Sequence, residues 1–112
     1  MHEMSLALGI CDVCEEALVR HPGRRLAAVE VEVGAFAGVH AESLEFCLRA
    51  ALAERFGNAD CRIRVVPGQS VCRVCGTRFD VVRAPITCPR CGGPGAGLTG
   101  GDALLVRSLE LE

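Results

Sequence analysis

The sequence predicts an α+β fold in which a small mixed three-stranded sheet carries two helices and a four-cysteine module is inserted ahead of the last strand. Three observations lead there. Two stretches of the first half repeat apolar residues at three- and four-residue steps, three segments alternate apolar and polar side chains, and two Cys-x-x-Cys-Gly units precede the last of those segments. With 112 residues there is room for one modest core, and a composition that is 50% apolar and 23% charged excludes a disordered polar chain.

From Met4 to about Arg20 the residues Ala7, Ile10, Cys11, Cys14, Ala17 and Leu18 form one apolar stripe, which is the pattern of an amphipathic helix. Ser5 is the expected N-cap, and His21-Pro22-Gly23 the stop. Residues 26–35 then alternate, with Val29, Val31 and Val33 on one face and Glu30 and Glu32 on the other, as a half-solvated strand requires. After the loop Phe36 to His40, a second stripe (Leu44, Cys47, Leu48, Ala51, Leu52, Phe56) predicts a helix that stops at Gly57-Asn58. Residues 61–66 alternate again and end at Pro67-Gly68. Strand, helix, strand in that order implies a right-handed crossover within one sheet.

The last segment alternates from Leu104 to Val106, then resumes one residue out of phase at Leu109 and Leu111. A β-bulge near Arg107-Ser108 reconciles the two phases. Two helices cannot be covered by two strands alone, so this segment is expected to return to the first sheet. Residues 1–68 with 103–112 then make a discontinuous α/β domain, and residues 69–102 a separate module with its return linker. Six of the ten residues from Gly92 to Gly101 are glycine, the composition of a flexible connection.

Cys72-Arg73-Val74-Cys75-Gly76 and Cys88-Pro89-Arg90-Cys91-Gly92 are separated by twelve residues. Each Cys-x-x-Cys turn aims two thiolates at one point, so the pair closes a four-sulfur tetrahedral site with no open position, which suits a structural Zn(II) rather than a catalytic one. The inserted module therefore reads as a zinc ribbon. Its apolar residues, Val71, Val74, Phe79, Val81, Val82 and Ile86, are too few to fold thirty residues unaided. Metal binding would supply the remainder, on the order of 10 kcal/mol.

The formal charge is −2, with 12 basic residues, all arginine, against 14 acidic ones. Arg73, Arg78, Arg83 and Arg90 against Asp80 leave the module positive, but a zinc ion with four thiolates contributes −2 and largely cancels that excess. With four Phe and no Trp or Tyr, base-stacking platforms are poorly supplied. Nucleic acid is not the expected partner. No apolar stretch reaches the ~20 residues that span a bilayer, and the start MHEMSLALGIC has neither a basic leader nor a cleavage site, so the reading is a cytoplasmic protein without a membrane partner.

His2 follows the initiator Met, which is normally retained before a bulky residue. An α-amine, the His2 amide nitrogen and the His2 imidazole form adjoining chelate rings around one metal, and Glu3 adds a carboxylate. Nitrogen-rich tetragonal sets favour Ni(II) or Cu(II). Taken alone, a histidine at this position also reads as a solvated terminal residue.

Several segments together carry a resemblance: M-H-E-M-S-L-A at residues 1–7, V-E-V-E-V-G-A-F-A-G-V at 29–39, E-S-L-E-F at 42–46, the paired Cys-x-x-Cys-Gly units, and S-L-E-L-E at 108–112. The chain resembles the HypA/HybF family of nickel metallochaperones for [NiFe]-hydrogenase maturation. That resemblance implies a nickel site centred on His2 and Glu3, and a separate structural zinc at Cys72, Cys75, Cys88 and Cys91. It also implies delivery of Ni(II), as cargo, with a HypB-type nickel GTPase to the hydrogenase large subunit; in some organisms the family feeds urease as well.

Two departures stand out. Relatives commonly carry a carboxylate near the position of His40, so His40 is a candidate nickel ligand through its imidazole, against the simpler reading of a solvated histidine at the start of the second helix. Cys11 and Cys14 stand where relatives have aliphatic residues, on the buried stripe, and read as small core hydrophobes, as do Cys47 and Cys61. A thiol oxidoreductase would need its Cys-x-x-Cys at a helix N-terminus, and this one falls mid-helix. The chain is not expected to be an enzyme. The competing reading is an interaction or nucleic-acid module in which zinc is the sole metal.

Overall fold

The computed structural model describes residues 2–112. Helix α1 (Glu3–Arg20) buries Ala7, Ile10, Cys11, Cys14 and Ala17 of the expected stripe and leaves Leu18 half-buried. It starts earlier than Ser5 suggested: His2 occupies the N-cap position with no side-chain cap, and its carbonyl accepts the Leu6 N–H at 3.0 Å. Ser5 lies inside the first turn, exposed. A carboxylate at the first helical residue, Glu3, complements the positive end of the helix in place of a capping hydroxyl.

Strand β1 (Leu26–Gly34) leads through the Phe36–His40 loop to α2 (Ala41–Phe56), which buries Leu44, Cys47, Leu48, Ala51 and Leu52. Gly57 ends α2 at φ 69°, a conformation that suits a residue without Cβ. Strand β2 (Asp60–Val66) and the last strand, Leu104–Leu111, complete a three-stranded sheet with β1 in the centre. At one end, Arg25 N–H bonds to Glu112 O at 2.8 Å and Glu112 N–H to Arg25 O at 2.9 Å; at the other, Gly34 N–H bonds to Ala103 O at 2.8 Å, so β1 and the last strand are antiparallel. The β2 partner runs with β1, since Ala35 N–H reaches Val66 O where both strands finish, at 2.8 Å. The sheet is therefore mixed, as expected.

Along Leu104–Leu111 the half-buried residues are Leu104, Val106, Leu109 and Leu111, with Arg107 and Ser108 both exposed between them. The alternation slips where the sequence changed phase. On the polar face of the sheet Glu32 meets Arg64 at 4.0 Å and Arg107 at 3.8 Å, Arg62 meets Glu110 at 3.0 Å, and Ser108 Oγ lies 3.5 Å from Glu30. The helices are also tied to each other, because Arg55 of α2 donates to Asp12 at 3.1 Å and Glu15 at 3.0 Å on α1.

The chain divides into two compact units: Met1–Glu32, His40–Arg64 and Leu105–Glu112 form the first, and Val33–Val39 with Val65–Leu104 the second. The segment Val33–Val39 thus clusters with the cysteine module and not with its neighbours in sequence, because Gly34, Ala35 and Phe36 donate to Ala103, Val66 and Gly101.

The second unit holds a hairpin absent from the sequence-based expectation: β3 (Gly68–Val71) pairs antiparallel with β4 (Arg78–Val81), Gly68 opposite Val81 and Val71 opposite Arg78. Numbered with this pair, the last strand is β5. Four-residue strands carry too few alternating positions to register as periodic. The glycine-rich return also differs from the flexible connection anticipated. Gln69 and Thr99 exchange N–H to O bonds of 2.8 Å, Ala96 N–H reaches Val71 O at 2.8 Å, and Arg73 N–H reaches Pro94 O at 2.9 Å. This segment covers the free edge of β3, and its glycines serve close approach: a β-carbon on Gly95 would strike Ser70 and Ile86. Phe79, Val81, Cys72 and Cys88 make the small core, with Phe36 and Ile86 packed on it.

Candidate metal centres

The two cysteine turns converge. The Sγ atoms of Cys72, Cys75, Cys88 and Cys91 all lie within 4.8 Å of one another, with Cys72 and Cys91 3.4 Å apart and Cys75 and Cys88 3.7 Å apart, and none is in a disulfide. Four sulfurs at the corners of a tetrahedron around a zinc ion, with bonds of about 2.3 Å, would be about 3.8 Å apart. The donor set and its spacing thus fit a metal such as zinc.

Backbone amides complete the site. Val74 and Cys75 N–H point at Cys72 Sγ (3.3 and 3.5 Å), Arg90 N–H at Cys88 Sγ (3.4 Å), and Gly93 N–H at Cys91 Sγ (3.4 Å). Such donors stabilise thiolate charge and orient the ligands. Glycine suits this close approach, since a β-carbon on Gly93 would lie 2.9 Å from Val74 Cγ2 and 3.2 Å from both Cys72 Sγ and Cys91 Sγ.

Cys72, Cys75 and Cys91 do not titrate alike. The Thr77 hydroxyl, 3.1 Å from Cys75 Sγ, and the Thr77 amide pull Cys75 down to about 6. The Cys75 amide lowers Cys72. Cys91 has the Gly93 amide in its favour, yet its sulfur neighbours and burial drive it up to about 12. Four negative charges cannot share this volume without a cation, and a divalent ion removes that conflict. Thr77 escaped notice in the sequence, where only its place directly after Cys-x-x-Cys-Gly marks it.

The other cysteines lie in the first unit as buried side chains. Burial raises Cys11 and Cys61, and raises Cys14 to about 11, which keeps these thiols protonated and unreactive near neutrality.

The histidine candidates lie at the starts of the two helices. His2 precedes α1 and is exposed; His40 precedes α2 and is exposed. Between them runs Glu3, only 4% exposed, whose Oε2 accepts the His40 N–H at 3.2 Å. That bond is the largest influence holding the Glu3 carboxyl below its ordinary range. Its other oxygen, Oε1, finds no donor among the described residues. The His40 ring caps α2: Nδ1 accepts the Ser43 N–H at 3.2 Å and lies 2.7 Å from Ser43 Oγ. The Met1 amine, which the sequence also offered as a donor, lies outside the described residues.

Fold and site together define a class: a small α+β protein that carries a four-thiol, ribbon-type metal centre on an insertion between its strands. The comparisons narrow that class. The family described as "Hydrogenase/urease nickel incorporation, metallochaperone, hypA" matches residues 1–111. Hydrogenase maturation factor HypA from Geotalea daltonii is 40% identical over 115 residues, covering 99% of both chains, and that from Azotobacter vinelandii is 38% identical over 116 residues, covering all of both. The solution structure of the Ni metallochaperone HypA from Helicobacter pylori superposes with a TM-score of 0.64 at 21% identity, over 99% of this chain and 97% of that one, which shows a shared fold. This chain belongs to the HypA family of hydrogenase maturation metallochaperones.

Proposed function

We propose that the protein is a nickel carrier without catalytic turnover, which takes up Ni(II) at its amino-terminal end and gives it up, with a HypB-type nickel GTPase, to the large subunit of a [NiFe]-hydrogenase in the cytoplasm. In this reading the α/β part, residues 1–68 with 103–112, carries the cargo. The module of residues 69–102 is held together by Zn(II) on Cys72, Cys75, Cys88 and Cys91.

The observation that carries the reading is the Glu3 to His40 hydrogen bond. It joins the start of α1 to the start of α2, bringing the Glu3 carboxylate to the backbone of His40, with the exposed His2 next to Glu3 in the chain. Few donors, reachable from solvent, suit a cargo that must be released. A closed four-sulfur site suits a metal that must stay. Selectivity against Cu(II) and Zn(II) then falls to geometry and to the partner, since intrinsic affinity alone does not favour nickel.

Calorimetric titration of Ni(II) into untagged, zinc-loaded protein, beside His2→Ala, tests this. One equivalent of nickel bound by the wild type and lost in His2→Ala, with zinc retained, is the expected result. Wild-type protein that takes up no nickel beyond the four-cysteine site would overturn the assignment and leave the ribbon as the functional centre.

A further inference from the structure

We propose that Thr77 is a positioning residue of the four-cysteine centre: its hydroxyl secures Cys75 as a retained ligand and leaves Cys91 as the solvent-facing ligand through which the metal exchanges. The proposal rests on the reading of that centre as a zinc site.

The two cysteine turns are built alike, bond for bond. In the first, Cys72 N–H donates to Thr77 O at 2.9 Å and Gly76 N–H to Cys72 O at 3.1 Å; in the second, Cys88 N–H donates to Gly93 O at 2.8 Å and Gly92 N–H to Cys88 O at 2.9 Å. The leading sulfurs match as well, since each accepts from the amide two residues on, Val74 to Cys72 at 3.3 Å and Arg90 to Cys88 at 3.4 Å. Thr77 and Gly93 thus hold the same place in the two turns, two residues after the trailing cysteine. There the likeness ends. Thr77 brings a hydroxyl to 3.1 Å from Cys75 Sγ, whereas Gly93 has only its amide, 3.4 Å from Cys91 Sγ. The second turn has no room for the same device, because a β-carbon on Gly93 would lie 2.9 Å from Val74 Cγ2.

A metal-bound sulfur carries no proton, so the Thr77 hydroxyl is the donor in that contact. It engages a lone pair of Cys75 Sγ through which an electrophile would capture the sulfur and take it off the metal, and it fixes the orientation of the ligand. Exposure decides where this counts. Cys72 and Cys88 are buried, while Cys75 and Cys91 are exposed. Of the two sulfurs that solvent reaches, one is held by a hydroxyl and the other by a backbone amide alone. Cys91 is therefore where a closed four-sulfur site opens a position.

The test uses the full-length, zinc-loaded chain with Thr77→Val, which keeps the shape and removes the hydroxyl, and Thr77→Ser, which restores it. N-Ethylmaleimide adds to a thiolate sulfur, forming one S–C bond while the ring takes up a solvent proton, and peptide mass spectrometry gives the order in which the cysteines are captured. In wild type Cys91 is expected to be captured before Cys75, with Cys72 and Cys88 last. Thr77→Val should bring Cys75 level with Cys91 and weaken zinc binding in chelator competition by about 10- to 100-fold, the range for loss of an outer partner. Thr77→Ser should stay close to wild type in both measurements.

Capture of Cys75 before Cys91, or together with it, in wild type would overturn the proposal, and that measurement depends on no variant folding. So would Thr77→Val with the capture order and zinc affinity of wild type. Thr77→Ser as damaged as Thr77→Val would overturn it too, by making the residue a packing element. Failure of the zinc reading itself looks different: wild type would then hold no zinc, and a chelator would leave the capture rates of all four thiols unchanged.

Discussion

Gly34, at the end of β1, lies so close to the carbonyl of Gly101 that a β-carbon on Gly34 would collide with it. The contact is locked by flanking bonds, Gly34 N–H to Ala103 O at 2.8 Å and Phe36 N–H to Gly101 O at 2.7 Å. Because the obstacle is backbone, it cannot rotate away as a side chain would.

Gly34→Ala is therefore expected to destabilise the protein by about 1–3 kcal/mol, the usual range for overpacking. Thermal denaturation followed by circular dichroism reads this directly. A melting temperature equal to that of wild type would mean that the Gly34 to Gly101 approach relaxes at no cost.

Removing the metal from the four-cysteine centre should unfold the second unit selectively. Its core is four buried residues, two of them cysteines of the site, so little remains once the thiols repel one another. Amide signals of residues 68–101 should collapse on chelation while those of α1 and α2 persist. Cys75→Ser should lose one equivalent of zinc and mimic that spectrum; a well-dispersed second unit without metal would contradict the structural role.

The buried thiols make stability fall at high pH. Burial raises Cys14 to about 11, against an ordinary value near 9, so between those values the unfolded chain releases a proton that the folded protein keeps. Folded protein then binds more protons than unfolded, and stability decreases as pH rises through the window from about 9 to 11. Below it the contribution is fully present. Denaturant midpoints measured from pH 8 to 11 should decline, and Cys14→Ala, although less stable at neutral pH, should decline less steeply. Parallel curves would show that Cys14 is not the group responsible.

Arg55 links α2 to α1 through Asp12 and Glu15 and sits 5.7 Å from the centre of the Phe56 ring. Both carboxylates are exposed, so Arg55→Met should lower the melting temperature slightly in low salt and hardly at all in high salt. A salt-independent loss would assign the effect to packing of the Arg55 stem.

Much of the first unit was legible because its elements are long. Helices of eighteen and sixteen residues repeat their apolar period several times, and the alternation from Val29 to Val33 identifies β1. The phase slip at Arg107-Ser108 was visible for the same reason. The β3–β4 hairpin was not, since four residues do not establish a period. The glycines of residues 92–101 misled, because the composition that makes a loose linker also permits one backbone to lie against another. Ser5 was read as a cap that Glu3 makes unnecessary.

Local periodicity and the short reach of Cys-x-x-Cys dictate the two helices, the three alternating strands and the four sulfurs that converge, so all of these could be read from the residues. Long-range packing is what buries Glu3 and bonds it to the His40 amide, associates residues 33–39 with the cysteine unit, and closes an edge of β3 with the glycine-rich segment. Each joins positions more than twenty residues apart through a backbone N–H or C=O group, or brings backbone segments together. Every residue but proline carries both groups alike, so no pattern of side chains announces which of them will pair.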